Sequence, residues 1–401
     1  MKVAVRPHER PELEEGVARV RILSYPYFPE VRDVDYYTAF YRWFESHPLA
    51  DQVHRWILLT EEDEVVGHLA ATPQYYRING ERVVAHTPGD FMVLPQYAFH
   101  ALALMRRYYR IVENSLAVDM LPNVIAVETR LGAEVAGELQ YAAKLLDVSR
   151  LPMPKIPGPI GRLLNRQNRP APADERVDQA GSELPPGVEA QAAALAPRPR
   201  APLPAPVRGL LNGTLRVADK AMLGTAASGL KAEVLEGFDE SFDVLFEKIA
   251  AVVPCLPEKD AAFLRWRYGP TSPQTPVTVL GVRGREGLLG YAVLKVTGSG
   301  QDGYPLDLTV LPGRRDVARA LLGEAVRIFR RAGVSIVRYR YLRSPASLGA
   351  DDLRRLGFFP RKGRRNVLLV KFEDPGLHEA AKDLSNWAYS IGDGEAAFWT
   401  R

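Results

Sequence analysis

Apolar and polar positions alternate in short runs through the region that begins near residue 55. Arg55 to Thr60 reads as a strand, the acidic turn Glu61 to Glu64 follows, and Val65 to Ala71 and Gln74 to Ile78 lead into Asn79-Gly80. Asn-Gly between two such runs predicts a tight hairpin, so this is an antiparallel meander continuing through Arg82 to His86 into Gly89 to Leu94. The period then changes. Phe99, Leu102, Met105 and Tyr109 fall at helical spacing within Ala98 to Val112, so a strand feeds a helix. The run Ser115 to Met120, a helix from Pro122 to Arg130, the stop Leu131-Gly132 and a strand over Glu138 to Leu146 complete the region.

The same order returns near the other end. Val277 to Val282, the turn Arg283 to Gly287, Leu288 to Val296, the loop Thr297 to Gly303 and Tyr304 to Leu311 form a second meander. A helix over Asp316 to Ala332 carries Val317, Leu321, Ala325 and Ile328 on one stripe. Then come the alternating strand Val334 to Leu342, a helix Gly349 to Leu356 and a strand Asn366 to Phe372. The repeated order of elements predicts two copies of one α/β unit.

Composition sets the boundary between them. Of 32 prolines, 13 lie between Pro152 and Pro206, and Arg169 to Pro206 has almost no aromatic or β-branched residues to bury. This is a Pro/Ala-rich linker, expected to be partly disordered over residues 151–230. The apolar patches Ile160 to Leu164 and Val207 to Met222 are candidate helices docking on either unit. The units are then 1–150 and 231–401, each of ordinary domain size. With 46% hydrophobic and 25% charged residues, the 401-residue chain excludes wholesale disorder and fibrous architectures. The single cysteine, Cys255, excludes an internal disulfide framework and Cys-cluster metal sites, and fits a cytoplasmic protein. No apolar run is long enough for a membrane span, and Met1 to Gly16 has no apolar h-region, so secretion is not expected.

Two landmarks carry a family resemblance. Asp90-Phe-Met-Val-Leu-Pro95 enters one helix, Asp307-Leu-Thr-Val-Leu-Pro312 enters the other, and Leu353-Arg-Arg-Leu-Gly-Phe358, with Thr129-Arg-Leu-Gly-Ala133 as its weaker counterpart, ends a later helix. The chain thereby resembles the GNAT-type acyl-CoA N-acyltransferase superfamily. Ala262-Phe-Leu-Arg-Trp-Arg-Tyr268 and Ile391-Gly-Asp-Gly394 resemble bacterial tandem members associated with envelope biosynthesis. The resemblance implies two tandem domains, each a mixed, mostly antiparallel sheet flanked by helices. It also implies acetyl-CoA or another acyl-CoA as co-substrate, no metal, and a small-molecule amine as acceptor, such as an amino sugar or envelope precursor.

In such a fold, backbone N–H groups at the start of the central helix and its dipole hold the CoA pyrophosphate. The resemblance places that contact on Val93, Gln96, Tyr97, Ala98, Phe99, His100 and Ala101 in one half, and on Val310, Arg314, Arg315, Asp316, Val317 and Ala318 in the other. Both loops depart from the usual Arg-Gly-x-Gly pattern, Phe99 adding bulk and Asp316 a negative charge. The family's tyrosine acid is absent too, since Glu128 and Leu353 stand at the comparable positions.

Asp90 and Asp307 are candidate carboxylates that position or deprotonate the amine, against the reading of strand-edge aspartates. Tyr339 and Tyr341 alternate with Arg338 and Arg340, one pair facing the core and the other facing out or into the cleft. His68, His86 and His100 lie on separate expected elements without metal-ligand spacing. Gly298-Ser-Gly-Gln-Asp-Gly303 matches a dinucleotide fingerprint but precedes a strand rather than a helix, so it reads as a hairpin loop. From Asp307 to Lys371 there are 16 Lys and Arg against five Asp and Glu, a basic face suited to phosphates or RNA. Three functions follow as expectations: acyl transfer from acyl-CoA, a Fem-like transfer from aminoacyl-tRNA, and a non-catalytic binding or scaffold role.

Overall fold

The computed structural model describes residues 3–25, 34–119, 121–150, 203–225, 229–342, 347–361 and 366–394. The middle of the linker, with the patch Ile160 to Leu164, therefore lies outside the described residues. The amino-terminal half contributes β1 (Val3–Pro7), α1 (Glu14–Ser24), α2 (Val34–Phe44), β2 (His54–Thr60), β3 (Val65–Ile78) and β4 (Glu81–Val93). It continues with α3 (Ala101–Ile111), β5 (Ser115–Asp119), α4 (Pro122–Arg130), β6 (Glu134–Glu138) and β7 (Gln140–Leu145). After the linker come α5 (Ala205–Thr225), β8 (Ala232–Leu235), α6 (Ser241–Ala250), β9 (Cys255–Pro257) and α7 (Ala261–Tyr268). The second meander is β10 (Thr278–Gly284), β11 (Gly287–Val296) and β12 (Asp302–Val310), followed by α8 (Arg315–Arg331) and β13 (Ile336–Tyr341). The last elements are α9 (Ala350–Arg355), β14 (Phe359–Pro360), β15 (Val367–Lys371) and α10 (Pro375–Lys382).

The Asn79-Gly80 turn has φ of 51° and 85°, the pair of positive values that a tight primed turn requires, and Ile78 pairs with Glu81 across it. The two strands are longer than the sequence pattern suggests, because Pro73 and Pro88 lie inside them rather than ending them. The His86 N–H leaves this ladder for Asn114 O, so Pro73, directly opposite His86, also presents its nitrogen away from β4. That side of β3 is vacant there, between the end of β2 at Ala71 and the start of β9 at Tyr76. Pro88 likewise faces the side where β4 has left β5. Neither proline removes a bond the sheet needs.

Two sheets result, in the orders β1-β2-β3-β4-β5-β15-β6, with β9 on β3, and β14-β7-β13-β12-β11-β10-β8. Among the described residues, all strand–strand pairings are antiparallel except β4 with β5 and β12 with β13, and one isolated parallel bridge joins Cys255 to Trp387. The sheets exchange their penultimate strands. The chain leaves the first sheet at Leu139, and β7 inserts between β13 and β14 of the second, while β15 inserts between β5 and β6 of the first. The strands expected to close each half thus close the other half.

Helices cover the sheets, α8 with the stripe its sequence carries and α3 with a displaced one, in which Met105 of the expected positions is buried and Phe99 is exposed. Leu104, Met105 and Tyr108 of α3 pack with Val17 and Val20 of α1 on the first sheet. Val317, Leu321, Ala325 and Phe329 of α8 fill the second core. The linker flank Val207 to Met222 lies within α5, whose Leu223 joins that same core. There Asp219 is ion-paired with Lys144 of β7 at 2.6 Å and with Arg330 of α8. Among the described residues, no helix is long and apolar enough to cross a membrane.

Candidate functional site

Each sheet parts between its two parallel strands. β4 and β5 pair only at His86 and Ser115, and β12 and β13 only at Asp302–Ile336 and Gly303–Val337. Beyond those positions the strands run on unpaired, so each half holds a V-shaped cleft that opens toward the start of its central helix.

A buried carboxylate sits beside each cleft, within the strand rather than at its start. Asp90 lies where the β3–β4 register slips, with φ of 47°, a left-handed conformation that aspartate tolerates better than most residues. Its carboxylate accepts from Arg21 Nε at 3.1 Å, from Arg21 Nη2 at 2.5 Å and from the Tyr41 hydroxyl, and His68 Nδ1 lies 3.2 Å away. Burial alone would raise this carboxyl, but Arg21 and then His68 hold it well below the usual range. Asp307 accepts from Lys259 Nζ at 3.0 Å, from Thr309 Oγ1 at 2.7 Å and from the Tyr291 hydroxyl at 3.2 Å. His68 follows Val-Val-Gly in β3 as Tyr291 follows Leu-Leu-Gly in β11, so one position in each half holds the carboxylate in place.

The clefts differ in what fills them. In the second, the segment Ala388 to Gly394 runs between the parted strands: Ser390 bridges to Tyr341 of β13, and Ser390 Oγ donates to Asp307 of β12 at 3.2 Å. Asp393 meets Lys259 at 3.0 Å, so one ammonium lies between two carboxylates, and burial pushes the Asp393 carboxyl up to about 6. Among the described residues, a cavity of about 40 Å³ is left there, lined by Tyr339, Tyr341, Leu308 and Phe246. Tyr339 and Tyr341 are buried and stacked on each other at 5.2 Å, while Arg338 and Arg340 turn to Tyr141 of the exchanged strand.

The helix starts differ as well. Before α3 the chain makes a 3-10 turn over Pro95–His100, so the α-helix begins at Ala101, three residues later than the apolar spacing suggests. Neither the turn nor α3 has a side-chain cap or an acid in its first turn. Gln96, Tyr97, Ala98, Phe99, His100 and Ala101 thus form, beyond Val93, a helix start with no side-chain cap among the described residues; the Tyr97 N–H is bonded to Leu94 O and the Ala101 N–H to Ala98 O, and the Phe99 ring is 93% exposed rather than folded across it. Before α8, in contrast, Arg314 donates two hydrogen bonds, at 2.9 and 2.8 Å, to the Asp316 carboxylate in the first helical turn. Those bonds hold Asp316 ionised and below the usual carboxylate range, so this helix start carries its own anion. Val317 and Ala318 beside it are buried, as is Val310.

Several expected residues stay apart. His68 serves Asp90, His86 binds Gln52 O at 3.0 Å and stacks on His54, and His100 is at the helix start. Cys255 is buried, and burial pushes its thiol up to about 12. Within the basic face, Arg327 and Arg331 pair with Glu324, Arg330 with Asp219, and Arg338 with Asp302. Arg343, Lys362, Arg364 and Arg365 lie outside the described residues. The sequence reading missed Arg21, Tyr41, Lys259 and Asp393. Only Asp393 had a signal, as part of the Ile391-Gly-Asp-Gly394 segment.

No family model matches the chain, and no curated protein matches it. Solved structures do. An Enterococcus faecalis V583 protein of unknown function, described as a probable N-acyltransferase, matches 93% of this chain and 73% of its own at a TM-score of 0.50 and 10% identity. A GCN5-related N-acetyltransferase from Anabaena variabilis ATCC 29413 gives 0.53 at 11% identity, over 93% of this chain and 73% of its own. The Saccharomyces cerevisiae N-myristoyltransferase, solved with bound myristoyl-CoA, gives 0.51 at 13% identity, over 96% of this chain and 84% of its own. With two parted sheets built to one plan, the chain has a tandem form of the GNAT N-acyltransferase fold.

Proposed function

We propose that the chain transfers an acyl group from acyl-CoA to an amine and that its amino-terminal cleft does the chemistry. The observation that carries this is the contrast between the two clefts. The first has an uncapped, acid-free helix start above parted strands, whereas the second is filled by Ala388 to Gly394 and its helix start is occupied by Asp316. A helix start without an acid of its own turns the positive end of its dipole to the pyrophosphate. The parted β4 and β5 leave strand amides exposed beside the thioester, where an N–H near Val93 polarises its carbonyl.

Asp90 is not the proton acceptor in this reading. A carboxylate held ionised by Arg21 and His68 is too weak a base for an ammonium, so Asp90, bonded to Arg21 and Tyr41, anchors α1 and α2 against the bulged strand and shapes the cleft wall. The Lys259–Asp307–Asp393 group, with Tyr339 and Tyr341, holds the tail in the second cleft and makes that half a support. The pairing of the basic face with its own acids favours the CoA-dependent reading over one dependent on tRNA.

Calorimetric titration of the full chain with acetyl-CoA and with myristoyl-CoA tests the proposal. One donor is expected to bind per chain. Phe99→Asp, which adds a negative charge at the first helix start, weakens it at least ten-fold, and Arg314→Ala at the second leaves it within two-fold. No binding of either donor, or equal sensitivity to both substitutions, overturns the assignment.

A further inference from the structure

One small cavity between the halves is lined by His47, Thr72 and Gln74, and one polar atom of each, His47 Nε2, Thr72 Oγ1 and Gln74 Nε2, is buried with no hydrogen-bond partner among the described residues. The cavity measures about 20 Å³ and is completed by Thr87, Trp266 and Arg267. Thr72 and Thr87 face each other across β3 and β4, and Thr87 Oγ1 donates to Leu116 O of β5 at 2.9 Å. The cavity therefore lies at the root of the amino-terminal cleft, where β4 and β5 begin to part.

The chemistry of its lining is one-sided. His47 Nδ1 accepts the Leu49 N–H at 2.8 Å, and burial, followed by the charge of Arg267, pushes the imidazole down to about 3. A neutral ring whose Nδ1 is an acceptor carries its proton on Nε2, so the unpartnered ring atom is a donor. The Gln74 amide and the Thr72 hydroxyl supply further donors. His47 and Gln74 are only 5% and 7% exposed, so solvent does not satisfy them from outside. Buried donors without acceptors are disfavoured, and a ligand oxygen placed among them removes that cost. The buried Arg267 guanidinium, which donates to Gly392 O and Gly394 O, keeps the local potential positive. Asp393 also borders the cavity, but Lys259 and the Ser390 N–H hold its carboxylate.

We infer that this cavity receives the carboxylate or carboxamide oxygens of the acceptor, so that the substrate is an amine bearing such a head group. The inference rests on the acyltransfer reading and narrows its substrate class. The volume suits a terminal oxygen group, and Trp266 offers an apolar wall to the carbon skeleton that bears it.

The test uses the full chain saturated with CoA, titrated with phenylalanine, phenylalaninamide and phenethylamine, which share one ring and amine and differ in the head group. At least one of the two oxygen-bearing compounds is expected to bind ten-fold or more tightly than phenethylamine, and which one leads distinguishes carboxylate from carboxamide. Gln74→Leu and Thr72→Val are expected to shrink that gap below three-fold. Because each removes a group without a partner, both variants keep or raise the thermal midpoint, whereas a purely structural role would lower it. Equal binding of all three compounds, binding of none, or a gap that survives both substitutions overturns the inference, the cavity then holding only water. Binding of CoA itself, measured in the same samples, reports on the acyltransfer reading separately.

Discussion

Trp43 and Trp266 lie face to face, with ring centroids 4.1 Å apart and planes 6° from parallel, and each donates its indole N–H to the backbone carbonyl of the other. Trp43 lies in the last turn of α2 and Trp266 in the last turn of α7, in the matching segments Phe40-Tyr-Arg-Trp43 and Phe263-Leu-Arg-Trp266. The two halves thus meet on a local twofold relation, with the same side chain from each at its centre. Phe40, Phe44 and Phe263 surround the pair.

Breaking that pair tests what joins the halves. Trp43→Ala removes a buried ring from a packed site and orphans the Trp266 carbonyl, and losses at such sites run at about 3–5 kcal/mol. Denaturant unfolding followed by fluorescence measures it. A loss under about 1 kcal/mol would show that the stack is dispensable.

The exchanged strands predict how the chain responds to being cut. A protease site inserted between residues 170 and 200 leaves β7 in the second sheet and β15 in the first, so the two fragments are expected to stay together in size-exclusion chromatography. Expressed alone, each fragment lacks a penultimate strand, with two rows of backbone groups left unpaired around the gap, and is expected to be insoluble. Co-expression restores a soluble complex. Soluble, folded single fragments would contradict the exchange.

Stability should fall as the solution becomes mildly acid. His47 and His86 are held down to about 3 and about 4, chiefly by burial, against about 6.5 in an unfolded chain. Between about pH 4 and 6.5 the unfolded state then binds more protons, so stability rises with pH across that window. Each group contributes up to about 1.4 kcal/mol per pH unit. Asp393, raised to about 6, acts in the opposite direction between about pH 4 and 6, and offsets one of the two histidines there. A thermal midpoint that climbs from pH 4.5 to 6.5 and then levels off is expected. A flat profile would mean that these imidazoles are hydrated.

What could be read from the sequence was what depends on near neighbours. Asn79-Gly80, the stripe of α8 and the span Pro122–Arg130 follow from turn chemistry and period, and the repeated Asp-x-x-Val-Leu-Pro marks the two carboxylates. Strand exchange was hidden because β7 and β15 alternate like any strand, and periodicity does not say which sheet receives one. Pro73 and Pro88 suggested breaks because the vacancies beside β3 and β4 depend on strands distant in sequence. For the same reason Arg21, 69 residues from Asp90, and Lys259, 48 from Asp307, carried no local signal. The matching Phe-x-Arg-Trp segments were the one long-range relation written plainly in the chain.

The tail that fills the second cleft is held at a position with no room for a side chain. A methyl group on Gly392 would lie 2.7 Å from Leu306 O, a backbone atom of β12 that cannot turn aside, and 2.1 Å from the Tyr268 hydroxyl. Gly392→Ala must therefore push the tail away from β12, at a cost of about 1–3 kcal/mol for overpacking. The displacement also loosens the Arg267 bonds to Gly392 O and Gly394 O and the Lys259–Asp393 pair. Limited carboxypeptidase digestion is expected to pass Gly392 faster in the variant than in the parent. Donor stoichiometry is expected to stay at one per chain even so, because Asp316 still occupies the second helix start. A second donor bound by Gly392→Ala alone would mean that the tail, and not Asp316, bars that half from acyl-CoA.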